Sequence, residues 1–279
     1  KADGLAAGKG VVVAMTEAEA IDAVRDMLSG NAFGDAGCRV VIEECLIGEE
    51  ASFIVICDGE HALPMATSQD HKRVGEADTG PNTGGMGAYS PAPVVTPEIH
   101  DIIMQQVIYP TLRGMAAEGT PYVGFLYAGV MIDAQGMPKV IEFNCRFGDP
   151  ETQPIMMRLQ SDLVTLCQAA LNGTLANQTI EWDPRPSIGV VLAAEGYPSN
   201  YRTGDPISGL ADIVDPDVKV FHAGTKLVDG SVCTSGGRVL CVTALGTDLK
   251  EAQNRCYDAT KAISWNGMFY RRDIGWRAL

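Results

Sequence analysis

The sequence predicts an α+β fold with more than one hydrophobic core. Apolar segments of strand length, several of them joined by tight turns, occur beside stretches of helical periodicity that carry capping residues. The chain has 279 residues, of which 46% are hydrophobic, which is enough for one large domain or two smaller ones. Hairpin strands together with helices define the α+β class.

Charge and cysteine usage argue against several classes of function. The formal net charge is −14 and the pI is about 4.6, which disfavours binding to nucleic acid or to an anionic membrane surface. We see no apolar run of membrane-spanning length and no leader, and we expect a cytoplasmic protein. The eight cysteines lack a Cys-x-x-Cys pair, so we expect reduced, mostly buried thiols and no structural zinc site.

The first segment has the composition of a phosphate-binding loop. Residues 4–10 are rich in glycine and alanine, with Lys1 before them and Lys9 among them. Consecutive backbone N–H groups can surround an anion in such a segment, although a glycine-rich hairpin turn has the same composition. Because the chain opens at Lys1 with almost no strand before this loop, we expect a fragment of a longer polypeptide.

A helix flanked by two strands is predicted next. Residues 11–14 and 38–46 have strand-like apolar patterns. Thr16 and Glu19 fit a capping box, which predicts a helix that ends near Leu28. The second strand runs into a cluster of acids, which is either a solvated loop or the edge that holds an adenine and its ribose. The acids are Glu43, Glu44, Glu49 and Glu50.

The central part is predicted to be a hairpin, a long loop and a helix. Strands at 52–57 and 61–67 flank the turn Asp-Gly-Glu, whose chemistry favours a hairpin. Residues 68–93 show almost no apolar periodicity and mix acids, bases, amides and glycines, so we interpret them as a substrate-binding loop. Thr96 should cap a helix that ends near residue 118 and is kinked at Pro110.

The next hairpin carries a candidate metal site. Strands at 125–133 and 138–144 are predicted, and alternation places Glu142 and Asn144 on one face and Ile141 and Phe143 on the other. A carboxylate and an amide oxygen at this spacing suit Mg²⁺, and Arg146 follows as a cation for phosphate or carboxylate. A solvated polar face with a salt-bridged arginine is the alternative interpretation.

The last third of the chain is predicted to form a smaller α+β domain. A helix at 162–171 capped by Ser161 precedes a proline-rich boundary at 182–187. Strands are predicted beyond it at 188–194, 219–223 and 238–244, followed by a helix that Thr247 caps and that ends near Ile263. The terminal residues 271–275 either fold back over a ligand or form a solvated basic tail.

Taken together, these motifs closely resemble the phosphoribosylamine–glycine ligase family, the glycinamide ribonucleotide synthetases, which are ATP-grasp enzymes of purine biosynthesis. The resemblance runs along the whole chain. It rests on Lys-Ala-Asp-Gly-Leu-Ala-Ala-Gly-Lys-Gly from residue 1, Glu43-Glu44, Gln-Asp-His-Lys-Arg from 69, Gly-Pro-Asn-Thr-Gly-Gly-Met-Gly from 80, Ile-Glu-Phe-Asn-Cys-Arg-Phe-Gly-Asp-Pro-Glu from 141, and Arg-Asp-Ile-Gly from 272.

The resemblance implies a partial ATP-grasp fold, with a small subdomain at 1–48, a central subdomain at 49–183 and a C-terminal α+β domain at 184–279. ATP is expected between the subdomains, and Glu142 and Asn144 are expected to hold Mg²⁺ or Mn²⁺. Glu50 is the expected ribose partner. The other expected nucleotide contacts are Lys1, Gly4, Gly8, Lys9 and Gly10 at the phosphates, and Glu43, Glu44 and Leu46 at the adenine.

The resemblance also implies the reaction, in which glycine is joined to 5-phosphoribosylamine through glycyl phosphate. Catalytic roles are expected for Asp70, Lys72 and Arg146, and residues 80–87 are expected to act as a lid. Asn82, Thr83, Gly84 and Asp149 are expected to line the substrate site. An N-terminal domain of the family is missing, so this chain is expected to be weak or inactive alone. Another ATP-grasp carboxylate–amine ligase, or a non-catalytic nucleotide-binding fragment, are the alternatives.

Overall fold

A computed structural model of the chain describes residues 1–4, 10–30 and 34–279. Gly8 and Lys9, which were predicted to contact nucleotide phosphates, lie outside the described residues. The α-helices are α1 Glu17–Leu28, α2 Pro97–Ile103, α3 Tyr109–Ala117, α4 Thr152–Arg158, α5 Leu163–Leu171 and α6 Leu249–Thr260. The strands are β1 Glu49–Asp58, β2 Ala62–Pro64, β3 Gln69–Asp70, β4 Arg73–Gly75, β5 Thr79–Asn82, β6 Gly87–Ser90, β7 Val123–Ile132, β8 Pro138–Asn144, β9 Ser187–Ala194, β10 Val218–His222, β11 Thr225–Val228, β12 Ser231–Thr234, β13 Arg238–Leu245 and β14 Met268–Phe269.

The first sheet is antiparallel, with strand order β2-β1-β7-β8. Strands β1 and β7 pair along their whole length. Successive side chains of β1 reach opposite faces of this sheet. Phe53 packs with Ile108 in the helical layer of α2 and α3, and Ile54 packs with Leu166 of α5. Strands β1 and β7 are therefore buried over most of their length, whereas β8 is not.

The second sheet joins distant parts of the chain. Its order is β10-β13-β9-β6-β3, and β14 also pairs with β9. Gly87–Ser90 of the central part pairs with residues 187–190 of the last third. Helix α6 covers one face and contributes Ala252 and Cys256 to the core. This sheet contains strands from both sides of residue 184, and the domain boundary drawn there stays a prediction.

The α+β class is confirmed, and elements with strong local signals lie close to their predicted bounds. Thr16 Oγ1 accepts a hydrogen bond from the Glu19 N–H at 3.2 Å, and Glu19 Oε2 accepts one from the Met15 N–H at 2.8 Å. Both predicted hairpins form, as β1–β2 and as β7–β8. Capping and turn chemistry act over a few residues, which is why sequence alone identified these elements.

Three predictions of local structure are wrong. Residues 11–14 and 38–46 are not strands, and the described residues show only an isolated bridge between Ala2 and Val40 there. An apolar run becomes a strand only where a partner satisfies its backbone groups. Residues 68–93 are not structureless, because they hold β3, β4, β5 and β6. These strands are too short to show an alternating pattern.

Two helix caps and one kink also differ from the prediction. Asp162 caps α5 in place of Ser161, and Asp248 caps α6 in place of Thr247. In both cases two residues that favour the N-cap position follow each other in the sequence. The aspartate, which is the second of the two, accepts the hydrogen bond from a backbone N–H in the first turn of the helix. The irregularity expected at Pro110 lies one turn earlier, as a π-helical turn at Met104–Ile108 between α2 and α3.

All eight cysteines are free. The expectation that most are buried holds for half of them, since Cys57, Cys233, Cys241 and Cys256 are buried whereas Cys38, Cys45 and Cys145 are exposed. Among the described residues, no helix has the length and hydropathy needed to cross a membrane.

Candidate active site

A cleft of about 1230 Å³ lies between the N-terminal segment, one face of the first sheet and the region of β3 to β5. Every described residue with a predicted site role lines it, except Gly10, which is buried elsewhere. The lining residues with predicted roles are Lys1, Gly4, Glu43, Glu44, Leu46, Glu50, Asp70, Lys72, Asn82, Thr83, Gly84, Glu142, Asn144, Arg146 and Asp149. The structure thus brings these residues together, while their individual roles stay predictions.

Strand register brings polar side chains together on the cleft face of the first sheet. Ser52 of β1 pairs with Gly129 of β7, and Gly129 pairs with Glu142 of β8. Tyr127 pairs in turn with Asn144. A Cβ added to Gly129 would lie 3.4 Å from both the Glu142 side chain and the Tyr127 ring. A glycine in the middle strand therefore leaves space for the polar groups on either side.

Glu142 and Asn144 share the cleft face, as predicted from strand alternation. Asn144 Nδ2 donates to Glu142 Oε1 at 3.2 Å. Mg²⁺ is usually bound by one or two protein oxygens and completes its shell with water and phosphate oxygens, so this pair fits such an ion. The predicted opposite face for Ile141 is wrong, because the register shifts between β7 and β8 at this residue and Ile141 also lines the cleft.

The deeper part of the cleft holds a cluster of charges. Lys72 Nζ forms an ion pair with Glu50 Oε1. Burial lowers the pKa of Lys72, but the Asp70 and Glu50 carboxylates outweigh it and hold the pKa above its ordinary value. Burial and the neighbouring Glu151 raise the pKa of Asp70 to about 8, against the effect of Lys72. Lys72 therefore remains a cation, and Asp70 is mostly protonated at neutral pH.

Glu151 lies beside this cluster and was assigned no role from the sequence. It is 2% exposed and lines the cleft. Its Oε1 accepts a hydrogen bond from Ser52 Oγ at 2.7 Å, and Ser52 Oγ lies 2.9 Å from the Tyr127 hydroxyl oxygen. Burial raises the pKa of Glu151 even though the Ser52 hydroxyl favours the charged form.

Side chains of the last third hold the glycine-rich segment 80–87. Arg238 of β13 donates to the Gly84 carbonyl at 2.6 Å and to Asp149 Oδ2 at 2.5 Å. The Gly84 N–H donates to the Tyr197 hydroxyl at 2.9 Å. The segment that we expected to act as a lid is therefore attached at Gly84, and the predicted substrate residue Asp149 is engaged in an ion pair.

The C-terminal segment packs against the same region from another side and is not a solvated tail. Arg271 is 1% exposed and donates to Asp78 Oδ1 at 2.9 Å, and Arg277 donates to Asp78 Oδ2 at 2.7 Å. Burial opposes the charge on Asp78, but these two arginines hold its pKa below the ordinary value. The Gly275 N–H donates to Nε2 of buried His71 at 2.9 Å. Burial and the two arginines lower the pKa of His71 to about 4, so this histidine is a neutral acceptor.

The N-terminal wall of the cleft is held by exposed ion pairs. Lys1 Nζ lies 3.0 Å from Glu43 Oε2, and Lys139 Nζ lies 2.9 Å from Glu44 Oε1. Gly4 donates its N–H to the Ala36 carbonyl at 3.0 Å. These surface ion pairs are weak, so a phosphate group can displace Glu43 from Lys1.

Sequence reasoning missed four residues of the cleft region, namely Tyr127, Glu151, Arg238 and Arg277. Arg277 donates to the Asp70 carbonyl at 3.3 Å and lines the cleft. Only Glu151 had a local signal, since it ends the Gly-Asp-Pro-Glu run that follows the metal pair. The other three depend on pairing between distant strands or on contacts of the C-terminal segment.

Comparisons with known proteins agree with this geometry. A family model described as "Phosphoribosylglycinamide synthetase, ATP-grasp (A) domain" matches residues 1–152. A second, "Phosphoribosylglycinamide synthetase, C domain", matches residues 187–277. Residues 153–186, which include α4 and α5, lie between the two matches.

Curated relatives and solved structures extend the match. The phosphoribosylamine–glycine ligases of Vibrio parahaemolyticus serotype O3:K6 and Escherichia coli O6:H1 are 71% and 70% identical to the whole chain, which spans 65% of each relative. The crystal structure of the ligase from Thermotoga maritima matches with a TM-score of 0.88 at 34% identity, covering 99% of this chain and 68% of that one.

More distant structures share the fold alone. The biotin carboxylase domain of 2-oxoglutarate carboxylase from Hydrogenobacter thermophilus, solved with MgADP and bicarbonate, matches with a TM-score of 0.64 at 18% identity. That match covers 94% of this chain and 56% of that one. Together with the family model of the ATP-grasp domain, the fold is that of the ATP-grasp class.

Within that class the match is specific to one family, because a model of its ATP-grasp domain covers more than half of the chain. The chain belongs to the phosphoribosylglycinamide synthetase family. The resemblance drawn from the sequence motifs is confirmed.

Proposed function

We propose that the chain is the ATP-grasp and C-terminal part of a ligase that joins glycine to 5-phosphoribosylamine and converts ATP to ADP and phosphate. The product is glycinamide ribonucleotide, an intermediate of purine biosynthesis. The observation that carries the proposal is the meeting of separately predicted nucleotide, metal and substrate residues in one cleft. The relatives that match the whole chain carry the name of this ligase.

The first step activates the glycine carboxylate, which has no good leaving group. A carboxylate oxygen attacks the γ-phosphorus of ATP, a new O–P bond forms, the bond to the β-phosphate oxygen breaks and ADP leaves. This step needs alignment and charge neutralisation more than proton transfer. Arg146, which is exposed in the cleft, and Lys72, which stays protonated, are the side chains that we assign to this neutralisation.

Glu142 and Asn144 are the residues that would hold Mg²⁺ or Mn²⁺. When bound, the ion neutralises phosphate charge and orients the nucleotide. The support for this assignment is the contact of two oxygen-bearing side chains on the cleft face of β8. Lys1 and the glycine-rich segment after it would contact the phosphates.

The second step forms the amide. The phosphoribosylamine nitrogen attacks the acyl carbon of glycyl phosphate, the C–O bond to phosphate breaks, phosphate leaves and the nitrogen loses a proton. We assign acceptance of this proton to Asp70, whose pKa is raised to about 8 by burial and by Glu151. It acts through its ionised fraction, which grows as the pH rises toward 8. Water must be excluded, because an acyl phosphate hydrolyses readily.

The test is ADP release with Mg²⁺, glycine and freshly generated phosphoribosylamine, with each substrate omitted in turn. It is run on the 279-residue chain and on the same chain mixed with the separately produced N-terminal third of the Vibrio parahaemolyticus relative. We expect ADP release that requires both substrates, with a gain when the second polypeptide is added. No gain in turnover would contradict the view that the N-terminal third of the relatives supplies necessary contacts.

Other outcomes separate the alternatives. ADP release that depends on a different amine would identify another ATP-grasp carboxylate–amine ligase. MgATP binding without any product, even in the mixture, would identify a non-catalytic nucleotide-binding fragment. A cytoplasmic location is part of the proposal, supported by eight free cysteines in the described residues.

A further inference from the structure

Glu151 has a buried carboxylate oxygen that the described part of the chain leaves without a partner. The side chain is 2% exposed, and Oε2 makes no hydrogen bond there. Buried carboxylate oxygens are normally satisfied, because leaving one unpaired costs stability. An oxygen of this kind in a residue that lines a cleft indicates that a bound ligand completes its interactions.

The position of this carboxylate is fixed in the absence of ligand. Ser52, which is 1% exposed, donates to Glu151 Oε1 at 2.7 Å and lies 2.9 Å from the Tyr127 hydroxyl. On another side, a Cβ added at Gly148 would lie 2.7 Å from the Glu151 Cβ and 2.9 Å from Oε2. The absence of a side chain at Gly148 thus provides the space in which the Glu151 carboxylate lies. A group held in this way can fix the position of a ligand at little cost in entropy.

A cation would complete the interactions of this oxygen, and the neighbours favour one class of cation. The charge of Lys72 acts on the pKa of Glu151. Its ammonium group, however, forms its ion pair with Glu50 and not with Glu151. An ammonium group carries three N–H donors and pairs well with a single carboxylate.

We propose that Glu151 binds the ammonium group of the amino-acid substrate and that it selects glycine over carboxylates that lack this group. The inference rests on the proposed function, in which glycine enters the cleft as a zwitterion. Arg146 lies on the same connection after β8 and also lines the cleft, so it offers a cation for the other end of that zwitterion.

The test is Glu151→Gln, which keeps the shape and an acceptor for Ser52 but removes the charge. The protein is the 279-residue chain mixed with the N-terminal third of the Vibrio parahaemolyticus relative, as in the test above. The substrates are glycine and glycolate, which replaces the ammonium by a hydroxyl. We expect the KM for glycine to rise about 10- to 100-fold, while the KM for ATP changes less than about twofold. The preference for glycine over glycolate in kcat/KM should fall by a similar factor. The surface variant Glu118→Gln is the matched control.

Thermal unfolding separates a binding role from a structural one. Since Glu151 Oε2 is buried without a partner in the ligand-free protein, Glu151→Gln should unfold at the same temperature as the wild type or higher. MgATP should raise the Tm of both proteins, and glycine added to the MgATP complex should raise the Tm further in the wild type but not in the variant. A lower Tm with parallel losses for all substrates, or an unchanged KM for glycine, would overturn the proposal. Absence of glycine-dependent ADP release by the wild type would contradict the proposed function itself. This result would be seen before any variant is compared.

Discussion

The two ends of the cleft hold their charged groups in different ways. At the metal end, which we define as Glu142, Asn144 and Arg146, both charged side chains are exposed and contact mainly their own strand and turn. At the buried end, defined as Asp70, Lys72 and Glu151, the groups lie close enough to shift one another's pKa. Water can solvate the first set until a ligand arrives, whereas the second set is fixed before binding.

This difference supports assigning the two ends to separate parts of the proposed reaction. Exposed charges with water around them can change partners and suit a nucleotide that enters and leaves with its metal. Buried charges in a fixed arrangement suit recognition of a small substrate, because their geometry does not have to be formed at each turnover. Variants at the two ends should therefore change different kinetic constants.

The largest effect is expected at the metal end, from Glu142→Ala. Loss of the carboxylate removes one of two side-chain oxygens available to the metal, and we expect ADP formation to fall by about 10²- to 10³-fold. The measurement is a Mg²⁺ titration of ADP release and of nucleotide binding. Glu118→Ala, at an exposed position after α3, is the control. An unchanged Mg²⁺ dependence would remove Glu142 as a ligand.

The next effect is expected where the last third of the chain supports the cleft, from Arg238→Met. The substitution leaves the Gly84 carbonyl and the Asp149 carboxylate without their shared donor. Misplacement of a binding segment by about 1 Å can cost about 10²-fold in rate, and we expect a loss of that order in kcat/KM for phosphoribosylamine and glycine. Steady-state kinetics with each substrate varied in turn is the measurement.

Arg113→Met, in the exposed part of α3, is the control for Arg238→Met and should leave all constants unchanged. The interpretation is wrong if Arg238→Met lowers only the Tm and leaves kcat/KM intact. That result would mean that Arg238 stabilises the fold without positioning the segment. It would also make the buried end independent of the last third of the chain.

A third prediction concerns pH and the buried end. The pKa of Asp70 is raised from 3.8 to about 8, first by burial and then by Glu151. The folded state therefore binds a proton that the unfolded state has released between these values, so the contribution of Asp70 to stability is present below pH 4 and is lost as the pH rises toward 8. This loss has a slope of at most about 1.4 kcal/mol per pH unit.

Urea unfolding of the wild type and of Asp70→Asn between pH 4 and 8 measures this effect. We expect the wild type to lose stability relative to the variant as the pH rises, because the variant has no proton to release at this position. The difference between the two proteins is the relevant quantity, since other groups titrate in both. A difference that stays constant over this range would show that Asp70 is not held in its protonated form by the fold.

The sequence predicted the parts of this molecule that depend on local chemistry. The capping box at Thr16, the β7–β8 hairpin and the placement of Glu142 beside Asn144 follow from spacings of a few residues. The convergence of the motifs in one cleft followed from the family resemblance and not from spacing. No pattern in the sequence identified the residues that hold the motifs in place through contacts from distant segments.

The missed features depend on contacts between distant segments. The strand β6 has only four residues, and its partner β9 lies near the start of the last third, so no periodicity could indicate the pairing. Arg238 acquires its role only because β13 lies in the same sheet. Glu151 is distinguished by its burial and its unpaired oxygen, and neither property can be read from the letters Asp-Pro-Glu.

The smallest effect is expected from Tyr197→Phe, which removes the hydroxyl that accepts from the Gly84 N–H at 2.9 Å and keeps the ring. One neutral hydrogen bond contributes about 0.5 to 1.5 kcal/mol, so kcat/KM for the substrates should fall by less than about tenfold. The neighbouring Tyr201→Phe, whose side chain is largely exposed, is the control and should have no effect.

The double variant Tyr197→Phe with Arg238→Met sharpens this last prediction. Both side chains bind the backbone of Gly84, one through its N–H and the other through its carbonyl. If they fix the segment together, the second substitution should cost little once the first has released it, and the two losses should not add. Full additivity would instead mean that the two bonds contribute independently to the position of the segment. In that case Arg238 and Tyr197 each hold a separate part of the segment, and loss of one leaves the effect of the other intact.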